Sequence, residues 1–343
     1  MERKLKNWLA ELRAPFLTAT LVSIILGTAI AWTRNNTFDL GYFLLALLGG
    51  ALLHLGTNVA NDYYDHKSGN DEVNREYVRP FSGGSRTIQL GLLTPREVLS
   101  GALLFYTLAT LIGLYLAWIR GPFVLILGLV GLLSGFFYTA PPFNWAGKGM
   151  GEALVGANFG ALMTLGAYYV QTQKLALEPL AASIPVSLLI AAVLYINEFP
   201  DYAADKAVGK NTLVVRLGRS KAMYGYALIV LGAYTFIILN VLVGITPLYT
   251  FFALIPLPLA VKAVLHASKF HSESFVLVPA NAMTIIIHLV TSLLISLGYL
   301  ISRFEILSLS HFSILAIVGV CTLFTANSYL KIKKGPEPKA QPY

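Results

Sequence analysis

The feature that most constrains this chain is a series of long apolar runs. One of them, FLLALLGGALLHLG at residues 43–56, contains no charged residue. A helix needs about 20 largely apolar residues to cross the roughly 30 Å hydrocarbon core of a bilayer. Ten candidate spans of about this length lie near residues 14–33, 40–61, 98–119, 122–140, 151–170, 178–197, 222–243, 246–266, 276–300 and 310–330.

The composition excludes an ordinary soluble domain. Hydrophobic residues make up 56% of the 343 residues and charged residues only 12%, whereas a typical soluble domain has about 25% charged residues. A soluble chain of this length could not bury so much apolar surface. We therefore expect an all-α, polytopic transmembrane bundle of nine to ten helices around a central cavity, with residues 1–343 forming a single membrane domain.

The Lys and Arg residues indicate the orientation of the bundle. With a cytoplasmic N-terminus, 21 of them lie on the inner side, and only Arg34, Arg120, Lys174 and Arg303 lie outside. Cytoplasmic loops of membrane proteins carry such an excess. The net charge of +8 therefore reflects topology, and we expect no nucleic-acid partner. The two long loops, 62–97 and 198–221, fall on the inner side, so an active site facing the cytoplasm is predicted.

Each long inner loop opens with an acidic motif. The first is NDYYDHKSGND at residues 61–71, and the second begins NEFPDYAADKAVGK at residue 197. The candidate residues are Asn61, Asp65 and Asp71 in the first motif and Asn197, Asp201 and Asp205 in the second. The Asn and the first Asp are four residues apart in both, and such residues share a helix face. Solvated helix ends are the alternative, but two corresponding motifs on one side favour a shared site.

Clustered carboxylates near a membrane repel one another, and divalent cations relieve that repulsion. Oxygen donors without Cys or a His cluster indicate a hard ion, for which Mg²⁺ is the natural choice. Two facing carboxylate clusters predict two ions with a polyphosphate between them. The predicted metal ligands are Asn61, Asp65, Asp71, Asp201 and Asp205, and the four aspartates are also the predicted catalytic residues. Asp62 lies off this helix face, and we expect a supporting role for it.

A diphosphate would also need cationic and polar partners. Arg79, three residues before the flexible SGGSR segment, and Arg86, the last residue of that segment, are the first choices because Arg clamps phosphate with two parallel hydrogen bonds. Further candidates for binding substrate are Lys148, Lys206, Lys210 and Asn197, and Arg13, at the mouth of the first span, is a candidate for the acceptor site. A topology charge is the alternative interpretation for the basic residues.

Polar and aromatic side chains within or near the spans are candidates for the cavity wall. Asn158 lies inside a span, where an interhelical hydrogen bond is the alternative. Tyr138 ends a span and could shield a carbocation, although an interfacial aromatic belt is the commoner reason for such a residue. For His54 and His288, also within spans, a packed neutral imidazole is favoured.

NDYYDHKSGND and NEFPDYAADKAVGKNTLVVRLG together resemble the two aspartate-rich motifs of the UbiA superfamily of intramembrane aromatic prenyltransferases. The resemblance extends over residues 10–300 and includes GGSR…GLLTPREV and YTAPPF…GMGE. Within the superfamily, the chain is most similar to the 1,4-dihydroxy-2-naphthoate prenyltransferases of menaquinone synthesis. That family has nine helices around a central cavity, so a tenth span at 310–330 would be an addition.

The resemblance implies a function. Mg²⁺ ions, held by the two motifs, bind an isoprenyl diphosphate, whose allylic C–O bond ionises before an electron-rich aromatic ring attacks the cation. Other acceptors within the superfamily, such as 4-hydroxybenzoate, a lipid glycerol ether or a tetrapyrrole, remain an alternative. A secondary transporter is a further alternative, but its ionisable groups are expected near the membrane midplane rather than at span ends.

Overall fold

The computed structural model describes residues 2–304, together with Gly319 and Leu323. All regular secondary structure within this part of the chain is helical. The α-helices are α1 Glu2–Glu11, α2 Thr18–Asn35, α3 Leu40–Ser68, α4 Asn70–Val73, α5 Pro95–Arg120, α6 Phe123–Phe136, α7 Gly151–Val155, α8 Met163–Thr172, α9 Leu177–Ala207, α10 Leu213–Leu217, α11 Arg219–Leu242, α12 Leu257–Phe270 and α13 Val278–Phe304. A π-helical segment, Gly156–Leu162, joins α7 to α8.

The predicted transmembrane bundle is confirmed. Among the described residues, eight helical segments are long and apolar enough to cross a membrane, and α6 is a shorter apolar helix of 14 residues. These nine segments correspond to the first nine predicted spans. The tenth predicted span, 310–330, lies outside the described residues.

The two spans that carry the acidic motifs are longer than predicted. The expected ends were residues 61 and 197, but α3 continues to Ser68 and α9 to Ala207. Both motifs are therefore largely helical, and the four-residue spacings place their side chains on helix faces as expected. Gly69, with φ 78°, ends α3 in the left-handed conformation that favours glycine. After this turn, the single-turn helix α4 carries Asp71.

Helix α9 lies at the centre of the main core. Its fully buried side chains Tyr195 and Phe199 belong to a core cluster that also contains Tyr226 of α11, Tyr299 of α13 and residues of α2. This apolar packing fixes the axis of α9 and therefore the position of the second acidic motif at its end. A smaller core joins α3 to α5 through Val59, Ala60, Val98 and Ala102, which fixes the first motif in the same way.

The N-terminal helix α1 packs against the segment that follows the first motif. The Asn7 side chain donates a hydrogen bond to the carbonyl of Leu92 at 3.0 Å. Lys4 pairs with Glu97, which also closes the capping box of α5 with Thr94. These contacts fix α1 against the segment that leads into α5.

Candidate active site

A cavity of about 540 Å³ lies within the bundle. Its deep walls are formed mainly by apolar residues such as Leu53, Leu132 and Leu162, and acidic and amide side chains cluster at the opposite end, which we call the entrance. Ten of the fourteen predicted site residues line it, namely Arg13, Asn61, Asp65, Asp71, Tyr138, Asn158, Asn197, Asp201, Asp205 and Lys210. The fold therefore brings both acidic motifs to one cavity.

Hydrogen bonds connect the two motifs across the cavity entrance. Asn70 Nδ2 donates to Asp205 Oδ1 at 2.9 Å, and Asn74 Nδ2 donates to Asp201 Oδ1 at 2.7 Å. The Gly83 N–H donates to the other oxygen of Asp201 at 3.4 Å. Asn70 of the first motif and the segment that follows this motif thus orient both carboxylates of the second.

Lys210 lies between the motifs. Its Nζ is 3.4 Å from Oδ1 of Asp65 and 3.6 Å from Oδ1 of Asp205. Burial alone would lower the pKa of Lys210, but the negative charges of Asp205, Asp65 and Asp201 raise it well above its ordinary value. The ammonium group therefore stays charged and offsets part of the repulsion among the carboxylates.

Asp71 is held by two neighbours. Gln89 Nε2 donates to its Oδ2 at 3.1 Å, and the Arg86 guanidinium donates to its backbone carbonyl at 2.5 Å. Burial and the charges of Asp65 and Asp62 raise the pKa of the Asp71 carboxyl to about 8. A cation beside this group would favour its charged form.

Asp62 lies behind the cavity wall, as its helix face predicts. Its carboxylate is 3.2 Å from the Arg13 guanidinium and accepts the Ser85 N–H at 2.9 Å. Arg13 in turn donates to the carbonyl of Asn58 and lines the cavity. Asp62 thus holds Arg13 and the GGSR segment in place.

Four predicted basic residues lie off the cavity wall. The Arg79 side chain donates to the carbonyl of Ser85 at 2.5 Å, and Arg86 stacks over Tyr77 in addition to its contact with Asp71. Lys148 and Lys206 are exposed. The assignment of these four residues to substrate binding stays a prediction.

The sequence interpretation overlooked Asn70, Asn74 and Gln89, each of which contacts a motif carboxylate. A signal for two of them was present. Asn70 and Asn74 flank Asp71 in the sequence NDEVN and are four residues apart, the same spacing that identified the two motifs. Gln89 carries no comparable local signal, because a chain reversal after α4 brings it back to Asp71.

The donor set of the site fits Mg²⁺. Within residues 2–304, no three acidic, imidazole or thiol side chains converge to form a ready-made cage for one ion. The cavity entrance instead presents separate carboxylate and amide oxygens from two facing helices. Mg²⁺ is commonly held by one or two carboxylates, with water and phosphate oxygens completing its octahedron.

A sequence model described as the UbiA prenyltransferase family matches residues 20–274. Since this match spans well over half of the chain, the protein belongs to the UbiA prenyltransferase family.

Two relatives and one solved structure illustrate the similarity. The chain is 32% identical over 302 residues to 1,4-dihydroxy-2-naphthoate octaprenyltransferase of Escherichia coli, covering 86% of this chain and 96% of that protein. It is 27% identical over 297 residues to 2-carboxy-1,4-naphthoquinone phytyltransferase of Synechocystis, covering 86% and 93%. The structure of a UbiA homolog from Archaeoglobus fulgidus bound to DMAPP and Mg²⁺ shares the fold, with a TM-score of 0.51 at 18% identity over 96% of this chain and 100% of that one.

Proposed function

We propose that this protein transfers an isoprenyl group from an isoprenyl diphosphate to an aromatic acceptor of the 1,4-dihydroxy-2-naphthoate type, in quinone biosynthesis. The observation that carries the proposal is the convergence of two acidic motifs on one end of a cavity whose deep walls are apolar. The naphthoate- and naphthoquinone-specific names of the relatives from Escherichia coli and Synechocystis support the choice of acceptor.

The proposed ligands of Mg²⁺ are Asn61, Asp65 and Asp71 on one side of the entrance and Asp201 and Asp205 on the other. When bound, Mg²⁺ neutralises the charge that develops on a departing diphosphate. The fold neighbour described with DMAPP and Mg²⁺ supports this assignment. Two facing groups of oxygens favour two ions, one for each motif.

The chain supplies further groups toward the diphosphate. Lys210 lies between Asp65 and Asp205 and places positive charge where the leaving group accumulates negative charge. Arg13 lines the same cavity beside the carbonyl of Asn58. Gly83 and Gly84 also line it, both with positive φ. A side chain at Gly84 would meet the Asp62 carboxylate, since an added Cβ would lie 2.9 Å from Oδ1, so both this contact and the positive φ favour glycine here.

The reaction breaks the allylic C–O bond of the donor, and the electron pair leaves with the diphosphate. A ring carbon of the acceptor then forms a C–C bond to the allylic carbon, and the ring regains aromaticity by losing a proton or its carboxyl group as CO₂. The apolar wall of the cavity excludes water, which would otherwise capture the cation. Aromatic side chains such as Tyr138, which lines the cavity, stabilise a passing cation through their π faces.

Transfer by the purified protein tests this proposal. In detergent, with a labelled isoprenyl diphosphate, 1,4-dihydroxy-2-naphthoate and Mg²⁺, we expect a labelled prenylated naphthalene product that disappears when Mg²⁺ is chelated. A parallel panel of 4-hydroxybenzoate, a glycerol ether lipid and a tetrapyrrole examines the acceptor class. Absence of product from every acceptor would refute prenyl transfer, and product from another acceptor alone would refute the naphthoate assignment.

A further inference from the structure

Helix α3 presents one continuous polar face to the cavity. His54, Asn58, Asn61 and Asp65 follow one another at intervals of four, three and four residues, which is the repeat of a single helix face. All four line the cavity. At 1.5 Å per residue, Asn58 lies roughly 10 Å and His54 roughly 16 Å deeper along the axis than Asp65. The proposed diphosphate site uses only the outer half of this face.

His54 is oriented toward the cavity by its surroundings. Its Nδ1 is hydrogen-bonded to the Thr20 hydroxyl at 2.9 Å, and its ring contacts the edge of Phe159 at a centroid distance of 4.4 Å. This is the only hydrogen bond of His54 within residues 2–304, so Nε2 is the free nitrogen on the cavity side. His288 differs, because both of its ring nitrogens are buried without a partner.

Three more polar side chains reach the cavity near this level. The Nδ2 of Asn58 is buried without a hydrogen-bond partner in the described part of the chain, and the Ser134 hydroxyl donates to Oδ1 of Asn158 at 2.9 Å. Asn158 belongs to the π-helical segment Gly156–Leu162, a distortion frequent at functional sites. We call His54, Asn58, Ser134 and Asn158 the deep polar cluster.

From this arrangement, and on the basis of the proposed function, we infer that the deep polar cluster binds the oxygen substituents of the aromatic acceptor, with His54 Nε2 as the principal contact. The isoprenoid tail is a hydrocarbon, and packing it here would leave these polar atoms unpaired at a free-energy cost. A ligand with hydroxyl or carboxylate groups satisfies them. The aromatic acceptor is the substrate that carries such groups.

The depth of the deep polar cluster in the cavity agrees with the positions that the diphosphate, the allylic carbon and the acceptor ring must occupy one after another along the cavity. The metal-binding end holds the diphosphate, the allylic carbon lies next to it, and the attacking ring must approach that carbon within about 3.5 Å. A naphthalene ring placed beyond the allylic carbon has its far oxygen at the level of Asn58 and His54. The cluster therefore acts as an acceptor subsite that sets the position of the ring.

Direct binding measurements test the inference without depending on turnover. The affinity of purified protein for 1,4-dihydroxy-2-naphthoate is measured with Mg²⁺ and a non-ionising thiolodiphosphate analogue of the donor present. We expect His54→Leu to weaken acceptor binding by about five- to tenfold, the loss of one hydrogen bond, and to leave the affinity for the donor analogue unchanged. His54→Gln, which keeps a hydrogen-bonding terminus, should recover part of the loss.

His288→Leu is the matched control, since it makes the same substitution at a buried histidine that lies off this cavity. Its acceptor affinity should equal that of the wild type. Two analogues, 1-hydroxy-2-naphthoate and 1,4-dihydroxynaphthalene, each lack one oxygen substituent. At least one of them should bind the wild type more weakly than the full acceptor, and that difference should shrink in His54→Leu.

Wild-type acceptor affinity in His54→Leu, or an equal loss of donor and acceptor affinity, would overturn the inference while leaving prenyl transfer by the wild type intact. Failure of the proposed function is different, because the wild type would then transfer no prenyl group to any aromatic acceptor. If His54→Leu does not fold, as shown by aggregation on size-exclusion chromatography and the absence of a thermal transition, His54→Gln and the wild-type analogue series decide the question. Equal binding of all three naphthalenes to both proteins would contradict the inference.

Discussion

A single lysine offsets part of the repulsion among the carboxylates of this membrane-embedded site. In the described part of the chain, Lys210 is the one cation whose side chain reaches carboxylates of both acidic motifs. Its ammonium group lies among Asp65, Asp205 and Asp201, each of which favours its charged form. Asn70 and Asn74 supply the remaining contacts as neutral donors. Lys210 and the amides of Asn70 and Asn74 therefore help to connect the two sides of the site.

Removal of a single motif carboxylate tests the assignment of the metal ligands. We expect Asp65→Ala and Asp201→Ala each to lower the rate of prenyl transfer by more than about a hundredfold, since loss of a metal ligand removes stabilisation of the leaving diphosphate. Initial rates with saturating donor and Mg²⁺ measure the effect. Asp39→Asn is the control, because Asp39 caps α3 at the opposite end and Asn caps equally well. Near-normal rates in either alanine variant would remove that residue from the site.

Glu11 gives the protein a pH dependence of its own. Burial, followed by the charge of Asp62, raises the pKa of the Glu11 carboxyl to about 7 from 4.5. The folded state therefore holds a proton that the unfolded state releases, so this group makes folding less favourable as pH rises from about 4.5 to about 7. We expect Glu11→Gln to melt a few degrees above the wild type at pH 8 and close to it at pH 4.5.

Thermal unfolding in detergent at the two pH values measures this difference. Gln keeps an oxygen that can accept from Ser85 and Thr87, the present partners of Glu11. Glu273→Gln is the control at an exposed carboxyl, and its melting temperature should follow the wild type at both values. A constant offset between Glu11→Gln and the wild type across pH would show that the Glu11 charge is not responsible.

At the scale of elements, the close approach of the π-helical segment to α9 is a packing constraint. A Cβ added to Gly160 would lie 2.5 Å from Cα of Ser187, and a backbone atom cannot move aside as a side chain can. Gly160→Ala should therefore force the two helices apart and lower the melting temperature by several degrees. The shift should also displace Asn158 and lower the acceptor affinity.

Gly232→Ala provides the comparison for this prediction. Gly232 lies in α11, and an added Cβ would meet only Leu188 at an ordinary 3.9 Å. Alanine in a helix interior is favoured over glycine by about 1 kcal/mol, so this variant should melt at or above the wild-type temperature. If Gly160→Ala were as stable as Gly232→Ala, the tight contact between the π-helical segment and α9 would be disproved.

The sequence predicted most of the elements but fewer of the contacts. Apolar runs located nine spans, and the spacing of Asn61 and Asp65 correctly placed both on one helix face that lines the cavity. The different environments of His54 and His288 could not be predicted, because both lie in apolar helices and only tertiary packing opens one to the cavity. Arg79 was predicted to bind the diphosphate because it lies close to GGSR in the sequence. In the structure its side chain donates a hydrogen bond to the carbonyl of Ser85 instead.

For the whole molecule, the orientation in the membrane stays a prediction that labelling can test. In a Cys321→Ser background, Arg75→Cys and Lys174→Cys each introduce one exposed thiol, on opposite predicted sides. The positive-inside rule places residue 75 in the cytoplasm. A membrane-impermeant maleimide should label Lys174→Cys in intact cells and Arg75→Cys only after permeabilisation. Both should react in detergent, and the reverse pattern in cells would place the acidic motifs outside.

The lengths of α3 and α9, 29 and 31 residues, give the molecule a further property. At 1.5 Å per residue such helices are roughly 44 to 46 Å long and exceed the roughly 30 Å hydrocarbon layer by several turns. The acidic ends of these helices therefore lie in the headgroup region, and their apolar parts lie in the hydrocarbon layer. The protein thus works as a phase-transfer catalyst. It holds the polar diphosphate of the donor in the headgroup region and the apolar isoprenoid chain in the hydrocarbon layer, and it joins the aromatic ring to that chain at the boundary between the two.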